Sequence, residues 1–293
     1  MRTFALLAAA LVLAAPASAE HHRSHAAKAP AAVLSPAAVL SPAAQQALAP
    51  VLADARRDKD RARDSHRHPV ETLAFFRVEP GMTVVDYMPS GGWWTRILVP
   101  YLGTSGRYIG INPDNRTLDE RTRQYFGNLG ETLPAKVTEW TGVPGDRIGA
   151  HNTDGLPASL NGTVDRVLIF REMHNLWRMN LMHRELTALR RLMKDDGLLG
   201  IEQHRAKADA PAAYTDASKG YLREKDVIAL VEAHGFALVG KSEINANPRD
   251  PANHPGGVWM LPPGLSGVAE ADRPAMQAIG ESDRMTLLFR KRP

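Results

Sequence analysis

The sequence predicts a doubly wound α/β fold: a mostly parallel sheet of seven strands whose last strand runs antiparallel. Three observations lead there. Met82-Thr-Val-Val-Asp-Tyr87 is a short apolar and β-branched run, which favours a buried strand over a helix. Pro89-Ser-Gly-Gly92 breaks it, and Trp94, Ile97, Leu98 and Tyr101 then recur at helical spacing. Strand-like runs and helical patterns keep alternating up to two closing strands, the order expected of a parallel sheet covered by helices.

The chain has 293 residues, enough for one large α/β domain. Residues 1–19 read as a signal peptide: Arg2, an apolar core from Phe4 to Ala15, and Ala17-Ser-Ala19 as the cleavage site. This predicts a periplasmic or secreted protein with no membrane anchor after cleavage. There is no cysteine, so disulfides, thiolate nucleophiles and Cys-ligated metals are excluded. The formal charge of +4 is small, and basic side chains alternate with acids, so no nucleic-acid footprint is expected. Residues 20–46 are a low-complexity linker containing a repeat, Ala31–Pro36 and Ala37–Pro42. His21, His22 and His25 precede it. They read as a polar tail or, with a free amine at residue 20 and His22 third, as a square-planar Cu(II) or Ni(II) site.

The folded domain is expected over 47–293. Ala47 to Arg67 reads as a mixed-charge helix, and Pro69 opens another at its first position. The first strand, turn and helix follow, with Pro100 ending the helix. Arg107 to Asn112 is the second strand, with Pro113-Asp114 at its tip, and Asn115 to Leu129 a polar helix. Lys136–Trp140 and Arg147–His151 compete as third strand. Asp165 to Phe170 is the fourth, running into the polar group Arg171-Glu-Met-His-Asn175. Met182, Leu186, Leu189 and Met193 mark a helix, Leu198 to Gln203 the fifth strand, and His204-Arg205 its tip. Tyr221 to His234 is helical, Phe236 to Ile244 the sixth strand and Arg284 to Arg290 the last. Between the last two lies a Pro-, Gly- and Asn-rich stretch, Asn245 to Asp283, long enough to be functional. His254 within it reads as part of a turn.

The segment Asp86-Tyr-Met-Pro-Ser-Gly-Gly92 resembles motif I of class I S-adenosylmethionine-dependent methyltransferases, acid-x-Gly-x-Gly-x-Gly. Asp86 and Gly92 match; Met88 and Ser90 replace the first two glycines. The form Pro-x-Gly-Gly-Trp-Trp-Thr is similar to a subgroup of exported predicted methyltransferases. The resemblance spans about Arg57 to Lys291. It implies S-adenosylmethionine as cofactor, held by Asp86, Pro89, Ser90, Gly91 and Gly92, with Gly92 lying against it. It implies Asp114 on the ribose hydroxyls and Asn152 or Asp154 on the adenine amino group. No Asn/Asp-Pro-Pro-Tyr follows the fourth strand, so the acceptor atom is left open.

In doubly wound sheets the ligand sits at the carboxyl ends of the strands, where the polar group after the fourth strand lies. His174 is the first candidate for a general base, Glu172 the second, and His204 a substrate contact. Trp93, Trp94, Trp177 and Trp259 read as core or as the walls of an apolar pocket. The leading expectation is a methyltransferase acting on a small molecule. The alternative is a catalytically inactive exported protein binding a small ligand on the same fold. A metal-binding role for the N-terminal histidines is a third reading.

Overall fold

The computed structural model describes residues 39–293 except Thr117; the segment read as a signal peptide, the N-terminal histidines and most of the stretch read as linker lie outside the described residues. The elements run α1 (Pro42–Ala53), α2 (Asp58–Arg61), α3 (Asp64–Arg67), α4 (Pro69–Phe75), β1 (Thr83–Tyr87), α5 (Thr95–Leu102), β2 (Arg107–Asn112), α6 (Glu120–Phe126) and α7 (Leu129–Thr141). They continue β3 (Ile148–Asn152), β4 (Val164–Phe170), α8 (Met173–Arg178), α9 (Met182–Leu192), β5 (Met193–His204), α10 (Glu224–Ala233), β6 (Phe236–Ser242), α11 (Arg273–Ile279) and β7 (Arg284–Lys291). The seven strands form one sheet in the order β3-β2-β1-β4-β5-β7-β6. All pairs are parallel except β5 with β7 and β6 with β7, so the expected antiparallel last strand is present.

Alternation along the strands divides the apolar side chains between two faces. Val85 and Tyr87 of β1, Val167 and Ile169 of β4, and Leu287 and Phe289 of β7 join one core with Leu186 and Leu189 of α9 and Val227 and Val231 of α10. Val84, Leu168, Phe170 and Leu288 point the other way, onto Leu48 of α1, Phe76 after α4, Ile97 and Leu98 of α5, and Leu133 and Val137 of α7. Both faces are covered, which is why the central strands read as continuous apolar runs. Every parallel strand then ends on the same edge.

Four boundaries differ from the sequence reading. The segment Lys136–Trp140 lies inside α7, and β3 is the competing run. Leu129, Leu133, Val137 and Thr141 recur every four residues and are buried, and Asn128 caps the helix by accepting from Gly130 N at 3.1 Å. A helical stripe beginning seven residues earlier therefore overrides a five-residue β-like window. The 47–67 helix is broken into pieces: Asp54 leaves helical geometry and its carboxylate accepts from Arg56 N at 2.8 Å, opening a 3₁₀ turn. Helix α1 starts inside the stretch read as linker, because Ser41 caps it by accepting from Ala44 N at 3.1 Å and donates to Glu79 at 2.6 Å, with Pro42 at the first helical position. Pro100 sits within α5, whose end is set by Gly103.

Gly200 on β5 faces the ring of Phe76; a Cβ there would lie 2.7 Å from two ring carbons. Gly200→Ala is expected to lower stability by about 1–3 kcal/mol through overpacking, read from the urea midpoint. An unchanged midpoint would show that the sheet and α4 are not in contact there.

Candidate active site

The turn after β1 keeps a glycine-like backbone without all of its glycines. Met88 (φ 54°), Ser90 (φ 49°) and Gly92 (φ 72°) are all left-handed. A non-glycine residue in that region costs on the order of 1–3 kcal/mol and is found where the surroundings impose it, commonly at functional sites. Asp86 supplies part of the constraint. It is buried, and its Oδ2 accepts from Thr95 Oγ1 at 3.0 Å and from Tyr108 OH at 2.9 Å, joining the end of β1 to α5 and β2. Burial pushes its carboxyl up to about 6 despite these bonds. Gly92, expected to lie against the cofactor, instead faces the ring of Trp140, which fills the place of a Cβ. Its glycine is required by packing as well as by its φ.

Two cavities meet at this turn on the carboxyl edge, and a third adjoins one of them. One of about 130 Å³ is lined by Arg63, Gly91, Trp94, Phe170, Arg171 and Glu172. One of about 340 Å³ is lined by Asn112, Gln124, Phe126, Leu133 and Trp140. Pro89 and Ser90 form the ridge shared by both. A third, of about 580 Å³, shares Tyr125 and Phe126 with the second and reaches His174, Asn175, Arg178 and Trp259. Trp94 stacks on Phe170, the last residue of β4, at 4.2 Å between ring centres, closing the floor of the first cavity.

The two candidate bases differ in electrostatics. Glu172 is half-buried, accepts from Ser90 Oγ at 3.1 Å and from Asn175 Nδ2 at 2.6 Å, and its enclosure pushes the carboxyl up to about 7. His174 is buried under Trp259, and loss of hydration holds it down at about 4; its nearest polar partner, Gln203 Nε2, is 3.5 Å from Nδ1. A base works best with a pKa near the operating pH, so Glu172 is matched to neutral conditions and His174 is a weak, permanently neutral acceptor there. His204 lies deeper, bonded to Ser282 Oγ at 2.6 Å, with its pKa lowered by burial.

Behind the first cavity is a cluster of arginines. Arg63, Arg67 and Arg284 converge on Glu281 at 2.6, 3.0 and 3.0 Å, and Arg284 also meets Glu202 at 2.9 Å. Arg171, the residue after β4, is left-handed (φ 64°), and its backbone N–H donates to Glu202 O at 2.6 Å. Four guanidiniums thus face two carboxylates. Arg67 is 0% exposed, yet its Nη1 and Nη2 have no hydrogen bond, nor has Nε of Arg171. Arg67 lies 4.7 Å over the ring of Trp93, which offsets part of that cost.

The structure brings Asp86, Pro89, Ser90, Gly91, Gly92 and Glu172 together and places His174 in the adjoining cavity. Asp114, Asn152 and Asp154 lie elsewhere. Asp114 turns to the opposite side of the edge, where Arg116 Nη2 at 2.7 Å and Arg184 Nη1 at 2.9 Å hold its carboxyl down at about 2. It lines a separate cavity of about 730 Å³ with Asp154, Thr153 and His183. Asn152 is consumed as a brace, accepting from Leu129 N at 3.0 Å and donating to Pro113 O and Gly127 O. The residue that ends β2 beside Ser90 is Asn112, whose Nδ2 donates to Phe126 O at 3.0 Å. Its strand-end position was visible in the sequence; its lack of charge hid it. Arg63 and Arg171 were also missed, since nothing local distinguishes them from solvated arginines. His254, read as a turn residue, is buried with Nε2 3.1 Å from Asp250.

The strand order 3-2-1-4-5-7-6 with an antiparallel β7 is the class I methyltransferase fold. No family model matches the sequence. A ribosomal RNA large subunit methyltransferase E from Rhodospirillum rubrum is 29% identical over 118 residues, 40% of this chain and 37% of that one. Similar solved structures include a SAM-dependent methyltransferase from Aquifex aeolicus, 19% identical at TM-score 0.46, covering 63% of this chain and 87% of that one. The [4+2]-cyclase SpnF is 13% identical at TM-score 0.48, covering 87% and 97%. At these scores the likenesses say nothing about the site; the fold rests on the strand order.

Glu281 tests the cluster. Its three arginines hold its carboxyl at about 2 against desolvation by burial. A depressed carboxyl pKa contributes stability that is complete above the unfolded value, about 4.5, and lost as the pH falls toward 2. Glu281→Gln is expected to cost about 3–5 kcal/mol at pH 7. The gap to wild type should shrink by roughly 3 kcal/mol between pH 5 and 2, measured by urea unfolding. A gap that does not depend on pH would contradict the ion cluster.

Proposed function

We propose that the chain is an S-adenosylmethionine-dependent methyltransferase acting on a small-molecule acceptor. The observation that supports this most directly is the turn Met88–Gly92, which keeps its left-handed backbone and forms the wall shared by two cavities at the ends of β1, β2 and β4. The residues present suit the cofactor. Arg171 and Arg63 line the first cavity and would receive its carboxylate, which would give the orphaned Nε of Arg171 a partner. Asn112, Phe126 and Leu133 would receive its adenosine. The bound cofactor supplies an electrophilic methyl group on a sulfonium.

The chain's own part is to orient the acceptor, exclude water and accept a proton. Glu172 is the residue proposed for the proton, because it borders both the turn and the end of β4 and has a pKa near 7. The stacked rings of Trp94 and Phe170 keep the floor dry. The similarity to a ribosomal RNA enzyme leaves a small acceptor preferred here, because most arginines near the edge are already paired with carboxylates. Export to the periplasm or medium is part of the same proposal and rests on residues 1–19 of the sequence.

S-adenosylhomocysteine at about 100 times its dissociation constant stabilises by roughly 2.7 kcal/mol, so the full chain should melt about 5–10 °C higher. No shift at millimolar ligand would overturn the cofactor assignment. With ¹³C-labelled glutamate carboxyl groups, one resonance should titrate near pH 7 and vanish in Glu172→Gln; if every glutamate titrates below pH 5.5, Glu172 is not the base.

A further inference from the structure

The third cavity has no role in holding the cofactor, and its chemistry is distinct. Its walls combine exposed aromatic rings with unbalanced positive charge. Tyr125 is 77% exposed and Trp259 41%. Both line the same cavity, although they come from α6 and from the long segment between β6 and β7. Large exposed rings gathered at one cavity, with buried His174 beneath, are poorly explained by core packing. Trp259 lies 5.9 Å from the His174 ring at 66°, and Tyr125 5.3 Å from Phe126 at 75°, so each exposed ring is backed by a buried one that fixes its orientation.

The charge around the rings is asymmetric. Arg121 and Arg178 line the cavity together with a single acid, Asp119. Asp119 is committed to capping α6: its carboxylate accepts from Thr122 N at 3.0 Å and Thr122 Oγ1 at 2.6 Å. Among the described residues Arg178 donates only to the neutral Asn175 Oδ1, at 2.8 Å. Arg121 has no hydrogen bond or ion pair of its side chain among the described residues. Two guanidiniums thus line the cavity without a paired carboxylate among the described residues. A planar ring would stack on Trp259 and Tyr125, and its anionic substituent would reach the guanidiniums, which favour planar carboxylates.

We propose that this cavity binds a small flat aromatic carboxylate, with its ring between Trp259 and Tyr125 and its carboxylate toward Arg178 and Arg121. As the acceptor pocket it deepens the methyltransferase reading and rests on it; as a binding site it stands on its own geometry. The cavity joins the cofactor side at Phe126, and Glu172 is bonded to Asn175 on its wall.

The test is calorimetric titration of the full chain with 4-hydroxybenzoate, its neutral amide, and the non-aromatic cyclohexanecarboxylate. The carboxylate of the aromatic ring is expected to bind at least tenfold tighter than either analogue. Trp259→Ala and Arg178→Ala, both exposed positions, should each weaken it about tenfold, while the melting shift with S-adenosylhomocysteine is retained. Equal binding of the three probes, or binding indifferent to both substitutions, or no saturable binding, would overturn the proposal. If the probe fails while the S-adenosylhomocysteine shift persists, the ligand class alone is wrong. If the probe binds as expected and the shift is absent, the pocket stands and the methyltransferase reading falls.

Discussion

A buried carboxylate organises the edge on which everything else depends. Asp86 lies near the end of β1 inside the protein, where its desolvation is partly offset by two hydroxyl donors, Thr95 from the start of α5 and Tyr108 from β2. Because those donors belong to the next helix and the next strand, the chain between them has little freedom. It must turn within a few residues, and it does so through three left-handed positions. Met88 and Ser90 hold left-handed φ at two of these positions and add side chains that glycine lacks: Met88 packs into the core, and Ser90 bonds Glu172. The variant turn is therefore coupled to the end of β4 through a side chain that glycine would lack.

The polar chemistry is divided between two kinds of burial. On one side the arginines around Glu281 hold a charge cluster with more cation than anion, which favours an anionic ligand. On the other, Glu172 and His174 are partly or wholly enclosed and have no ion-pair partner among the described residues, so the carboxyl rises to about 7 and the imidazole falls to about 4. Burial of the same kind thus makes one residue a useful proton acceptor near neutrality and removes the other from that range. Glu185 performs the structural counterpart on the opposite face. It accepts from Tyr87 OH, Thr153 Oγ1 and Asp114 N and so ties together the ends of β1, β2 and β3.

Much of this was legible in the sequence because it is local. The β1–turn–α5 unit, the polar group after β4 and the antiparallel β7 follow from periodicity and turn residues that neighbour one another. What was not legible depends on direction. Asp114 has the right chemistry for a diol and sits two residues past the strand end, but Arg116 and Arg184 draw it to the far side. Asn112 has the right position without the charge that would have drawn notice. The arginine cluster assembles from residues more than 200 positions apart, Arg67 and Glu281, and no local pattern announces it. The third strand was ambiguous because a five-residue window of Lys136–Trp140 cuts across a helix whose stripe begins at Leu129.

The most direct measurement is a crystal structure of the chain with S-adenosylhomocysteine. The account predicts ligand density draped over Pro89 and Ser90, its carboxylate at Arg63 and Arg171 and its adenosine against Asn112 and Phe126. Density in the cavity lined by Asp114, Arg116 and Arg184, or none at saturating ligand, would contradict it.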